Sequence, residues 1–240
     1  MRIWIGYDER EDIAARVCQA SLERYFPKVN VRYLDWRYDF IKSVYSRPYT
    51  LEHGQYTDSL TGQPFSTQFS FTRFLVPHLE GYQGWSMYCD CDFLFRGDVR
   101  DLFDLADSSF AVMVVPHNHV PVEAKKMDGV AQTKYFRKNW SSLILWNCEH
   151  PANKALTPEK VNLMPGSWLH QFRWLDDDNI GQLPEEWNWL VGKTNTISPT
   201  THYRKSTQIK AVHMTEGGPW FPGFENCPYA DEWQAAQRLL

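Results

Sequence analysis

The first 36 residues constrain the fold most tightly. The run RIWIGYD, Arg2 to Asp8, is apolar until it breaks at Gly6, Tyr7 and Asp8. EDIAARVCQASLERYF follows with Ile13, Val17, Leu22 and Tyr25 at helical spacing, and VNVRYLDW then alternates as a strand does. Together they predict a β-α-β unit whose first loop opens at the carboxyl end of the first strand. In an open α/β sheet that crevice is where ligands bind. Gly6 stands in it alone, without G-x-G-x-x-G or a P-loop, so neither phosphate-cradling fingerprint applies.

A second constraint is the stretch WSMYCDCDFLFRGD, which sets Asp90 and Asp92 two residues apart at the end of an apolar run. In a strand, residues i and i+2 point to one side, so a continuing extended chain aims both carboxylates together. Two like charges on one face repel, and a divalent cation is the simplest reason to keep both ionised, since carboxylate oxygens suit Mg2+, Mn2+ and Ca2+. Aspartate is also common in turns after strands. The buried approach WSMYC and the second acid favour a site.

Along the rest of the chain, residues 37–66 are polar, aromatic and turn-rich, and read as a long functional loop. Overlapping it, Ser46 to Gln68 is expected to act as a mobile lid, with Tyr45, Tyr49, Tyr56 and Phe65 available to clasp a base or sugar. STQFSFTRFLVPHL predicts a helix from Ser66 carrying Phe69, Thr72, Arg73 and Val76 on one face. DVRDLFDL reads as a helical turn, FAVMVV and SSLILWNC as buried strands, Thr157-Pro158-Glu159 as a capped helix start, and IKAVH as a strand ending in His213. No repeat or linker is visible. The expectation is one α/β domain over residues 1–240, with a nucleotide-binding half (1–150) and an acceptor-side part (151–240).

Composition narrows the function classes. Of 240 residues, 43% are hydrophobic and 15% aromatic, which excludes a disordered chain. The net charge of −4, without a Lys/Arg block, lacks the footprint of a duplex nucleic-acid binder. No 18-residue apolar run and no basic-then-apolar leader occur, so a cytoplasmic protein is expected. Five cysteines without C-x-x-C or zinc-finger spacing are expected to be reduced and mostly buried.

Other candidates have plain readings beside functional ones. His213 suits a core edge, but Gly217, Gly218 and Pro219 after it form a tight turn that brings backbone N–H groups near a bound anion. His117 and His119 share a strand face, yet no third zinc ligand stands at standard spacing. Asp176, Asp177 and Asp178 suit a solvated turn, or a role toward substrate hydroxyls. Trp140, Trp146, Trp187 and Trp189 are chiefly core, although exposed indoles near carboxylates also stack on sugar rings.

In order along the chain, SFTRFLVPHL, YCDCDFLFRGDVRDLF, LPEEWNW and VHMTEGGPW resemble the motifs of family 8 glycosyltransferases, of the glycogenin and lipopolysaccharide galactosyltransferase type, over roughly residues 1 to 225. The resemblance implies a single GT-A domain with a twisted, mostly parallel sheet flanked by helices. It also implies a hexosyltransferase that uses a nucleotide-sugar donor, UDP-sugar by preference, with Mn2+ or Mg2+. Asp90, Asp92 and His213 then become metal ligands. Gly6, Tyr7 and Asp8 become nucleoside contacts, Arg73 a donor contact, and Asp176 and Asp177 the acceptor-side catalytic pair. A glycan or lipid-linked sugar is the implied acceptor, with retention of configuration.

The chain departs from the family at several points. Gly218 replaces the lysine expected before Pro219-Trp220, which leaves Lys193, Arg204 or Lys205 to face the leaving diphosphate. Asn139-Trp140-Ser141-Ser142 replaces Asn-Ser-Gly, and the aspartate triplet replaces Asp-Gln-Asp. Two other readings of Asp-x-Asp stand beside this one: a Mg2+-dependent phosphohydrolase with Asp90 as nucleophile, and a non-catalytic nucleotide-binding homologue.

Overall fold

The computed structural model describes residues 1–117, 137, 140–191 and 208–240. Strand β1 (Arg2–Gly6), helix α1 (Asp12–Tyr25) and strand β2 (Val31–Leu34) form the expected β-α-β unit, with β1 and β2 parallel. Val17 and Leu22 of α1 are buried, whereas Tyr25 at its end is exposed.

The segment expected to be a loop without regular structure is folded. After a helical turn, α2 (Asp39–Lys42), strands β3 (Tyr49–Glu52), β4 (Gln55–Asp58) and β5 (Pro64–Phe65) form an antiparallel sheet. His53 and Gly54, with φ of 50° and 80°, make the two-residue turn between β3 and β4, the backbone that short hairpins require. Tyr56 is buried and stacks on Phe65. The helix expected from Ser66 is also corrected. Turns occupy residues 68–71, a 3-10 turn spans Thr72–Leu75, and α3 (Val76–Leu79) carries Pro77 in its first turn. Proline has no N–H to give, so a helix starts here and does not continue through.

Strand β6 (Trp85–Cys89) leads through the Asp90–Asp92 turn into β7 (Phe93–Phe95), then α4 (Arg100–Phe103), β8 (Val112–Val114) and β9 (Leu143–Asn147). Helices α5 (Pro158–Leu163, capped by Thr157) and α6 (Gly166–His170) precede β10 (Ile180–Gln182), β11 (Trp189–Leu190), β12 (Ala211–His213) and α7 (Ala230–Gln237). The main sheet runs β10-β8-β9-β6-β1-β2, and β9 is its antiparallel member. This is the expected mostly parallel α/β sheet. Its core holds Ile3, Ile5, Met87, Ile144 and Trp146, all fully buried.

A small sheet, β11-β12-β7, sets β12 antiparallel to β7, with a second cluster of Val17, Leu94, Val212 and Trp233 under α7. Among the described residues all five cysteines are free thiols, four of them buried. No helix there is long and apolar enough to cross a membrane.

Candidate active site

β6 is buried from Ser86 onward and delivers Asp90 at the carboxyl end of the sheet. The strand does not continue, contrary to the extended chain that the spacing suggests. Asp90 N donates to Ser142 O at 2.9 Å, Cys91 turns into the core, and the carbonyl of Asp92 accepts from Met214 N at 2.9 Å. The two carboxylates therefore share a face through a turn and not through strand alternation. Pairing of β12 with β7 sets His213 opposite Phe93, and the two rings stack 4.5 Å apart at 16°. His213 Nε2 thus lies 3.3 Å from Asp92 Oδ1, and one donor atom each from Asp90, Asp92 and His213 falls within 4.8 Å of the others.

The surroundings explain how such a cluster is tolerated. Asp90 Oδ1 accepts from the Tyr88 hydroxyl at 2.6 Å and forms an ion pair with Arg73 Nη1 at 2.8 Å. Burial pushes the Asp90 carboxyl up, Arg73 pulls it down, and Asp92 adds to the rise. Burial holds the Tyr88 phenol far above its ordinary value, so it stays a donor. Arg73 Nη1 also donates to Ser141 O at 2.8 Å.

On the far side of His213, Nδ1 lies 2.9 Å from Asn188 Oδ1, while Asn188 Nδ2 donates to Ser142 Oγ at 2.9 Å. With the amide oxygen toward the ring, Nδ1 is the nitrogen that donates and Nε2 is left facing Asp92. The Nε2 lone pair then faces a carboxylate oxygen, an arrangement that a cation between them satisfies. Two carboxylates and one imidazole can hold a divalent metal ion.

The cluster opens into a cavity of about 420 Å³. One wall comes from the β4–β5 sheet and the residues after it (Asp58, Thr61, Phe65, Ser66). Another comes from Ser141, Gly166, Ser167 and His170, and a third from Thr215 to Gly217 and Phe221. Among the described lining residues Arg73 is the one guanidinium or ammonium group, against Glu11, Asp58, Asp90, Asp92 and Glu216.

The remaining sequence candidates divide. Asp8 is fully buried and accepts from Arg10 N, the Arg10 guanidinium and Gln68 N, so it acts as an organiser behind the cavity. Tyr7 donates to Asp12 at 2.8 Å under the Arg37 guanidinium. Gly6 is required by packing, because a Cβ there would sit 2.6 Å from Phe69 and from the Tyr88 hydroxyl. Gly217 lines the cavity with φ of 120°, and Gly218 lies against the Trp220 ring.

Asp176, Asp177 and Asp178 stand apart from the cluster. They are exposed and enter β10 at its amino end, whereas Asp90 leaves β6 at the carboxyl end of a strand running the same way; none lines the cavity. His119, Asn139, Lys193, Arg204 and Lys205 lie outside the described residues. Sequence reading missed Asn188, quoted only within LPEEWNW, and the Ser141–His170 pair (Oγ to Nδ1, 2.7 Å). Both are joined to the site by pairing across distant segments, which no local pattern announces.

No protein-family model matches the sequence. Protein CDI of Arabidopsis thaliana is 46% identical over 233 residues, 97% of this chain and 84% of that protein. Among solved structures, an active-site mutant of LgtC aligns with a TM-score of 0.60 at 13% identity, covering 100% of this chain and 96% of that one. Galactosyltransferase LgtC with donor and acceptor sugar analogs gives 0.59 at 12%, with the same coverage. Glycosyltransferase GlyE of Streptococcus pneumoniae TIGR4 gives 0.61 at 14%, over 98% of this chain and 60% of that one. The chain thus belongs to the family of Arabidopsis protein CDI and has the GT-A fold of the glycosyltransferases that its motifs resemble.

Proposed function

We propose that the protein transfers a hexosyl group, with retention, from a nucleotide-diphosphate sugar to a glycan or lipid-linked acceptor, using Mn2+ or Mg2+ held by Asp90, Asp92 and His213. UDP-sugar is the favoured donor, by the family resemblance. The observation that carries this reading is His213 Nε2 facing Asp92 Oδ1 at 3.3 Å while Nδ1 is engaged by Asn188. The cation, when bound, neutralises the diphosphate as the glycosidic bond breaks.

The chain's own residues do the rest. Arg73 and Tyr88 aim Asp90, the Gly217–Gly218 turn lies on the diphosphate side of the cavity, and the nucleoside lies toward Gly6, Tyr7 and Asp8. Residues 1–150 form the nucleotide-binding half, and residues 151–240 add His213 to the metal site and carry the acceptor side. That LgtC, with the same fold, was solved with donor and acceptor sugar analogs supports a two-substrate cavity. Free, mostly buried thiols fit a reducing compartment, and cytoplasmic action is part of the reading.

Incubation with a panel of nucleotide sugars and Mn2+ tests it. Transfer or slow hydrolysis releases nucleoside diphosphate. Release of inorganic phosphate instead would indicate a phosphohydrolase, and neither product a non-catalytic binder.

A further inference from the structure

Along the carboxyl edge of the main sheet the order is β2, β1, β6, β9. The proposed nucleoside side is β1, and β6 delivers Asp90 to the diphosphate. The next position is the entry to β9, where Ser141 and Ser142 sit in a 3-10 turn. A donor laid across the edge in this order puts its sugar beside Ser141 and what Ser141 holds.

Ser141 holds His170. The Ser141 hydroxyl lies 2.7 Å from His170 Nδ1, and the imidazole meets Phe74 edge-on, with centroids 5.1 Å apart at 82°. His170 is 9% exposed and lines the cavity, as do Gly166 and Ser167. Through its carbonyl, Ser141 also accepts from Arg73 Nη1, which is ion-paired with Asp90. The ring is therefore fixed in rotation and in position relative to the metal ligands, as a group that reads hydroxyl stereochemistry must be.

We infer that His170 hydrogen-bonds a hydroxyl of the donor's sugar and so helps determine which sugar is transferred. A hydroxyl both donates and accepts, so it meets an imidazole nitrogen of either tautomer. Moving that hydroxyl to the epimeric position leaves the buried nitrogen without its substrate partner, which is the strong form of discrimination. The inference rests on the glycosyltransferase reading above.

The test is calorimetric titration in Mn2+ with UDP and GDP, and with the epimer pairs UDP-glucose/UDP-galactose and GDP-glucose/GDP-mannose. Wild type is compared with His170→Phe, which keeps the packing on Phe74 and removes both nitrogens. The affinity ratio within the bound pair should fall on the order of tenfold while nucleoside diphosphate affinity stays the same. Ser141→Ala, which unfastens the ring, should lose part of the ratio and decides the matter where the Phe variant does not fold. An unchanged ratio in the folded variant, or a wild type that does not discriminate within either pair, overturns the inference alone. A wild type that binds none of these nucleotides overturns the functional reading beneath it.

Discussion

Asn188 Oδ1 accepts from Nδ1 of His213 at 2.9 Å, and that contact decides which imidazole nitrogen faces Asp92. Asn188 is fully buried, lies outside the cavity lining and also bonds Ser142 Oγ, so the ring is held from behind by a residue that does not face the cavity. Asn188→Ala should weaken Mn2+ binding by about 10- to 100-fold. Asn188→Asp, which still accepts from Nδ1, should recover part of it. Calorimetric metal titration checks both. Wild-type affinity in the alanine variant would remove Asn188 from the site.

Gly6 reaches the site through Tyr88. A methyl group at Gly6 would collide with the Tyr88 hydroxyl, the same hydroxyl that donates to Asp90 Oδ1. Gly6→Ala should cost about 1–3 kcal/mol by overpacking and also weaken Mn2+, because Tyr88 or Phe69 must move. Urea unfolding paired with metal titration separates the two effects. Loss of stability with intact metal affinity would mean that Phe69 yields and Tyr88 does not.

The wall formed by β4 and β5 is fastened to α5 by a buried ion pair. Arg47 donates to both Asp58 oxygens, at 3.0 and 2.8 Å, and to the carbonyls of Val161, Asn162 and Met164, with its plane 4.1 Å over Phe71. Burial raises the Asp58 carboxyl, but hydrogen bonds from Arg47 and Thr61 outweigh it and leave the group below its ordinary value. A depressed carboxylate stabilises above its unfolded pKa, and that contribution is lost as pH falls through the native one. Asp58→Asn should therefore cost about 3–5 kcal/mol at neutral pH. The gap from wild type should narrow below about pH 4. Urea unfolding from neutral pH to about pH 2 measures it, and a gap independent of pH would deny the pair its electrostatic role.

Much of this was legible because it is local. The β-α-β opening, the Asp-x-Asp after WSMYC, the Thr157 cap and the strand ending in His213 are all written in spacing within a few residues. The β3–β5 sheet carries a local signal too, masked by the turn residues around it: Thr50, Tyr56 and Thr57 are strand formers on either side of His53-Gly54, a two-residue turn. Asn188, Ser141 and His170 could not be read this way. Their partners lie 25, 68 and 29 residues away in sequence and meet only through strand pairing and helix docking. The aspartate triplet shows the same divide: its acidity is local, while its place at the amino end of β10 is set by topology.

The hairpin wall also yields a prediction about motion. Its ladder includes Tyr56 paired with Phe65, and Asp58 N donating to Gln63 O at 3.0 Å. With Tyr56 and the Arg47–Asp58 pair buried, amides of β4 should exchange slowly before any ligand is added. Hydrogen exchange read by mass spectrometry checks this. Fast exchange in the free protein, slowed by nucleotide and Mn2+, would restore the mobile lid expected of Ser46 to Gln68.

The central claim is that Asp90, Asp92 and His213 hold a cation that secures a nucleotide-sugar donor. Its most direct test is calorimetric titration of UDP-sugar into wild type and into Asp92→Asn, each with Mn2+ and with EDTA. The account predicts donor binding that Mn2+ supports and EDTA abolishes in wild type, and that is absent in an Asp92→Asn protein with a near wild-type melting temperature. Equal affinity in all four titrations would contradict it.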